Sequence, residues 1–455
     1  MRTSRAAAIS VGVALTAIMG AALATPAVAV DPEPVQEPRV SVEYFPQPGG
    51  EGRRTEVPLS TEAVTGRATA RSTAPAASAT DGEVGELAVT GPSADRLDVV
   101  IVGDGYTADQ QDAFHTAAAA KWADITGIEP YSSYQGLMNV WTVDAVSAES
   151  GITGDPTADV TKDTALGSYF WCSQTERLIC ADIDKVASYA AKAPDADLVV
   201  VVSNSTKYGG AGYSGLEAEG YPFDGVSTLS SDNAQSSMIA AHEIAHSVGL
   251  LADEYTYDSY GTWTGGELPD INSSVFTAEQ MAANRTKWYR WLGESDPTGG
   301  TVGTYEGSSY YPFGIYRPTS NSIMRALNIS EFNLPGREAM IAGFYREANV
   351  LSSGTGTSSA VLRTSRLKVS QAELKGLAAP QLRWYVDGVQ VKRAQGLTAA
   401  VPAALGVPAD GRQHTVTVES ADRTASVRDP KVRAEATERL TWTVKASGHK
   451  GPKRH

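Results

Sequence analysis

The stretch Met238-Ile239-Ala240-Ala241-His242-Glu243-Ile244-Ala245-His246-Ser247-Val248 is mostly apolar, yet it carries two imidazoles and a carboxylate. The capping types Ser230, Ser231 and Asp232 precede it, and Met238, Ala241, Ala245 and Val248 fall at core-facing spacing, which predicts a helix over 233–248. Residues four apart share a helix face, so His242 and His246 can aim at one point with Glu243 beside them. Burying these groups is costly unless they meet a partner. A single Zn²⁺ is the partner this spacing suits. It lowers the pKa of a water to roughly 7, and Glu243 as general base can take the proton and pass it to a leaving amine. The pattern is short and also arises by chance on solvated helices, but the apolar flanks argue against that origin here.

A catalytic zinc needs three protein ligands and one open position. The chain has six histidines, at 115, 242, 246, 414, 449 and 455. His115 lies in an Ala-rich helical run, His414 in a distant strand-like segment, and His449 and His455 in a polar tail, so a three-histidine site is disfavoured. Asp253 and Glu254 follow Gly249, a residue able to take the left-handed conformation that ends a helix and turns the chain back. Asp253 is the favoured third ligand, Glu254 the next, and Glu279 or Glu338 the third choice.

Gly249, three residues after His246, resembles the metzincin pattern, although Ala252 stands where that pattern has histidine. Asn321-Ser322-Ile323-Met324-Arg325 looks like a Met-turn. Together with the segments 98–107, 242–255 and 332–339, in that order along residues 85–350, the chain resembles the IgA-peptidase family of zinc metallopeptidases, family 64. The resemblance implies a zincin-type α/β (α+β) catalytic domain, one Zn²⁺ and endopeptidase activity. It places metal ligands at His242, His246 and Asp253, and the catalytic glutamate at Glu243. The chain has Ser322 and Gly336 where cysteines are expected in the family. Nothing in these residues reads an antibody hinge.

Arg2 and Arg5 precede an apolar run to about Leu23, and Ala27-Val28-Ala29 has the form of a signal-peptidase site, which predicts a signal peptide over 1–29 and a secreted, extracellular protein. No later segment is long and apolar enough for an integral membrane helix. The formal charge of −14, from 38 basic and 52 acidic residues, disfavours nucleic acid as a partner. Export favours a Cys172–Cys180 disulfide.

Residues 30–93 read as a small β element, strand-like at 40–45, followed by a Thr/Ala/Ser-rich linker from about 60 to 81. The catalytic domain spans 94–350, with strands at 97–102, 138–146 and 198–202 and helices at 108–122 and 180–192. Tyr208-Gly209-Gly210-Ala211-Gly212-Tyr213 reads equally as a rim strand above the metal or as a surface loop. Tyr255, Tyr257, Tyr260, Tyr310, Tyr311 and Tyr316 are candidates to stabilise an oxyanion. After a linker at 351–359, Trp384-Tyr385-Val386-Asp387-Gly388-Val389 and alternating runs at 414–419 and 439–444 predict an immunoglobulin-like β-sandwich over 360–446, then a basic tail at 447–455. The sandwich or tail could contact cell wall or glycan.

The leading expectation is a secreted zinc metalloendopeptidase acting on protein or peptide. The alternatives are a surface-targeting binding protein with an inactive protease domain, and a zinc hydrolase of cell-wall peptides.

Overall fold

The computed structural model describes residues 38–60, 80–375 and 381–445. The expected signal peptide, most of the 60–81 linker and the basic tail with His449 and His455 lie outside the described residues.

One eight-stranded mixed sheet carries the catalytic region. Its strands are β1 (Arg39–Tyr44), β2 (Arg53–Pro58), β3 (Val84–Ala88), β4 (Leu97–Asp104), β5 (Met138–Val143), β6 (Leu198–Ser203), β7 (Gly210–Tyr213) and β8 (Gly225–Ser230), in the order β2-β1-β7-β8-β6-β4-β5-β3. The inner strands β8, β6, β4 and β5 run parallel, while β7 pairs antiparallel to β8 and β1 antiparallel to β7. Every residue of β4 and β6 is buried. The Val/Ile run 99–102 of β4 and the Leu/Val run 198–202 of β6 follow from having both faces covered. Val99 and Ile101 enter one core, Val100 and Val102 the other, as the period of two requires.

Helices α1 (Gln111–Ile125), α3 (Ser237–Gly249) and α4 (Leu334–Glu347) contribute Phe114, Ile239 and Phe344 to one core, and α2 (Ile183–Ala190) contributes Ile183 and Val186 to the other. The helix expected over 180–192 starts only at Ile183. Cys180 is held in the disulfide to Cys172 and pairs with Tyr169, and Asp182 then caps the helix by accepting from the Lys185 amide. The predicted disulfide is formed.

Within the segment 208–213, Gly210–Tyr213 is a strand rather than a loop, but it is not the rim of the sheet, because β1 and β2 add beyond it. A hairpin of β9 (Tyr305–Ser308) and β10 (Tyr311–Arg317) stands apart. The C-terminal strands form two small sheets: β11 (Leu351–Ser353), β12 (Leu367–Gln371) and β15 (Ala399–Ala400) in one, and β13 (Arg383–Val386), β14 (Val389–Gln390), β16 (His414–Ala421) and β17 (Thr437–Val444) in the other. Asp387 and Gly388 both take positive φ in the tight turn between β13 and β14, as an Asp-Gly hairpin demands. Trp384 and Trp442 stack at 6.1 Å in a core continuous with that of α3 and α4.

Candidate active site

Helix α3 follows a single 3-10 turn capped by Asn233, which accepts from the Gln235 amide, one residue beyond the expected Ser230–Asp232 cap. His242 is fully buried and His246 half-buried on its cleft face. The imidazoles are fixed by their inner nitrogens: His242 Nδ1 lies 2.9 Å from the Ile323 carbonyl and His246 Nδ1 2.7 Å from that of Leu251. A carbonyl only accepts, so both Nδ1 atoms carry hydrogen and both Nε2 atoms of the neutral rings present lone pairs. Those two lone pairs face each other at 3.0 Å. Such an arrangement repels unless a cation sits between them or a proton is added.

The residue that ends α3 in the left-handed conformation is Leu250 (φ 50°), not Gly249. Gly249 is needed for another reason. A Cβ there would stand 2.7 Å from Met340 Sδ, so its absence lets α4 close against the helix. The turn brings Asp253 under the imidazoles, where its Oδ1 lies 3.2 Å from His242 Nε2 and 3.3 Å from His246 Nε2. Its Oδ2 accepts a 2.6 Å hydrogen bond from Tyr310. Burial opposes the Asp253 charge, but the flanking imidazoles outweigh it and hold this carboxyl well below the usual range.

Glu254 points the other way. Its carboxylate is fully buried and accepts from Asn272 (3.0 Å), Asn333 (2.9 Å) and Ser322 (2.7 Å). Ser322 thereby takes up a polar role in the Met-turn, and the Glu254 amide donates to the Met324 carbonyl at 2.8 Å. Glu279 lies on the first turn of a separate short helix, and Glu338 accepts from the Trp291 indole at 2.6 Å. Neither belongs to the His242 cluster. His115 pairs with Asp144 at 2.7 Å.

A fourth group completes the cluster: Glu43 of β1. Its oxygens lie 3.3 Å from His242 Nε2 and 3.5 Å from His246 Nε2, and all four donors fall within 4.8 Å of one another. Both Glu43 oxygens and Asp253 Oδ1 are buried with no hydrogen-bond donor. Buried acceptors converging without donors fit a metal ion, since an unsatisfied buried carboxylate is otherwise strongly unfavourable. Sequence reasoning missed Glu43 because a charged residue alternating with Val42 and Tyr44 reads as the solvent face of a strand, and because it lies far in sequence from the histidines.

Glu243 is buried beside this cluster with Oε1 unpartnered. Burial and then the Glu43 charge push its carboxyl up to about 8. Strand β7 lies directly over it: a Cβ on Gly212 would fall 1.8 Å from Glu243 Oε2. Among the candidate tyrosines, Tyr310 alone hydrogen-bonds an atom of the cluster among the described residues, through Asp253. Beside His246 opens a cavity of about 390 Å³, lined by Leu251, Trp263, Leu268, Tyr310 and Tyr311 among others.

No curated protein matches the chain. The profile of the family described as IgA Peptidase M64 matches residues 85–300 and 292–344, which span every element of this site except β1 and β2. With that match over more than half of its length, the chain belongs to the M64 family and is a metallopeptidase.

Proposed function

We propose that the chain is a secreted zinc endopeptidase in which His242, His246 and Asp253 hold the metal and Glu243 is the general base. The observation that carries the reading is the pair of Nε2 lone pairs locked face to face, with the unpartnered Asp253 Oδ1 beneath them. Zinc is favoured by donor type and spacing. Donors about 2.0–2.1 Å from a tetrahedral ion stand about 3.3–3.4 Å apart. The three separations among His242 Nε2, His246 Nε2 and Asp253 Oδ1 run from 3.0 to 3.3 Å.

Bound zinc would supply Lewis acidity toward a water and a substrate carbonyl. The protein supplies the rest. The Ile323 and Leu251 carbonyls orient the imidazoles, and Tyr310 orients Asp253. The Glu243 carboxylate, buried beside the cluster with one oxygen unpartnered, is the group placed to take a proton from water and return it to the leaving nitrogen. The edge of β7 that β1 occupies is the one on which an extended peptide could pair and bring its carbonyl past Glu243. The aromatic cavity beside His246 suits an apolar side chain next to the cut bond.

Export is supported by the charged, apolar and small-residue pattern over 1–29 and by the disulfide. The C-terminal sheets we read as an immunoglobulin-like module; nothing in them selects between wall binding and spacing. The immunoglobulin substrate in the family's name is not carried over. The test is digestion of denatured casein and a peptide library by zinc-loaded protein, with product mapping. Internal cuts that disappear in Glu243→Gln while zinc is retained support endopeptidase activity. Terminal trimming, or cuts confined to cell-wall peptides, would replace it with the narrower hydrolase.

A further inference from the structure

We propose that the N-terminal hairpin β1–β2 is an internal inhibitor, with Glu43 closing the metal's open position and β1 filling the strand position of the substrate. The inference rests on the metallopeptidase reading above and adds its regulation.

Three observations carry it. A catalytic metal site keeps one position for water, whereas four protein ligands make a closed site. His242, His246 and Asp253 already supply three, and Glu43 arrives as the fourth, with one oxygen toward each imidazole. Second, β1 pairs antiparallel to β7 with Glu43 opposite Gly212, the residue whose missing Cβ makes room for Glu243. A peptide adding to β7 to be cut would have to lie where β1 lies. Third, the hairpin is tied to both sides of the cleft. Phe45 stands edge-on to the His242 ring at 5.1 Å, and Ser173 donates to the Glu56 carbonyl at 2.9 Å. Across the cleft, Arg54 donates to Tyr310 at 2.7 Å and Arg325 pairs with Glu51 at 3.0 Å, while the Leu327 amide donates to the Gly50 carbonyl at 3.1 Å. The profile of the family begins at residue 85, beyond this hairpin.

Glu43 is also held by space. A Cβ at Gly52 would sit 2.1 Å from Glu43 Oε1 and 2.6 Å from the Tyr255 ring. Gly52→Ala therefore has to push Glu43 away without touching a metal ligand among the histidines or Asp253.

The experiment compares full-length wild type, Glu43→Ala and Gly52→Ala, with intact mass confirming that the hairpin is attached. Each is loaded with Zn²⁺ for peptide hydrolysis and calorimetric titration with acetohydroxamate, a small probe of an open metal position, and with Co²⁺ for visible spectra. Both variants should raise turnover and hydroxamate affinity at least about tenfold and shift the cobalt bands, metal content staying at one per chain. Equal turnover and equal hydroxamate affinity in all three would overturn the proposal. So would loss of the metal in Glu43→Ala, which would make Glu43 an integral ligand. If both variants bind hydroxamate and shift the bands but none hydrolyses peptide, the closure stands and the peptidase reading fails.

Discussion

Asp253 and Glu254 are adjacent carboxylates with opposite duties, and exchanging each for its amide separates them. Glu254 Oε1 accepts from the Asn272 and Asn333 amides and Oε2 from Ser322, while Ser322 Oγ accepts in turn from the Met324 amide. In Glu254→Gln the amide oxygen can keep both asparagine bonds, but the new NH₂ meets the Ser322 hydroxyl, so one bond to a charged acceptor is lost. That costs about 2 kcal/mol. Glu254→Ala strands all three donors and opens a cavity, for about 4 kcal/mol. Metal affinity should change by less than about tenfold in either, because the group touches neither imidazole nor Asp253. Asp253→Asn reverses the pattern. Tyr310 keeps a partner and stability falls by about 1 kcal/mol or less, while metal affinity drops by about a hundredfold or more. Urea melts at fixed metal load give the first quantity, and metal competition against a chromogenic chelator gives the second. Metal loss in Glu254→Gln with an unchanged urea midpoint would refute the assignment.

Glu243→Gln should lower hydrolysis by about 10²–10⁴-fold with zinc content unchanged, read by kcat on a fluorogenic peptide and elemental analysis. Gly212→Ala places a methyl against Glu243 and should likewise lower turnover while leaving metal affinity intact. Replacing both Cys172 and Cys180 with serine opens a short loop closed at a separation of 8 residues. It should cost about 2–3 kcal/mol in a urea melt under non-reducing conditions. Metal uptake should release protons. In the metal-free site, burial disfavours the His242 charge, but Glu43 and Asp253 outweigh it and push this imidazole up to about 10, and His246 is raised by the same two carboxylates. Both pKa values lie above the unfolded 6.5, so the protonated imidazoles stabilise the metal-free fold fully below that pH, and this contribution is lost as pH rises toward 10. At pH 8 calorimetry in buffers of different ionisation heat should report net proton release on metal binding, and no release would contradict the raised imidazole pKa values.

The sequence exposes what repeats or what chemistry constrains. β4 and β6 are legible as apolar runs because they are buried on both faces, and α3 is legible because two imidazoles and a carboxylate stand out in an otherwise apolar helix. Asp253 is reachable only as the favoured of several carboxylates, since discounting the other histidines leaves Glu254, Glu279 and Glu338 open as well. The physical reasons for the misses are specific. Gly249 looked like the left-handed residue, but packing against Met340 demands it and Leu250 bears the strain instead. The glycine-rich segment 208–213 reads equally as a rim strand or a surface loop, whereas β7 is an inner strand covered by β1. Glu43 lies about two hundred residues from His242, and strand alternation assigns it to solvent, because local pattern carries no information on a pairing that only the sheet order creates.

The most direct test of the metal site is peptide-library hydrolysis by zinc-loaded Glu43→Ala, beside the double variant Glu43→Ala/Glu243→Gln. Both should hold one zinc per chain, and only the first should produce internal fragments. Equal cutting by the double variant, or no cutting by a zinc-loaded Glu43→Ala, would contradict a peptidase that works through His242, His246, Asp253 and Glu243.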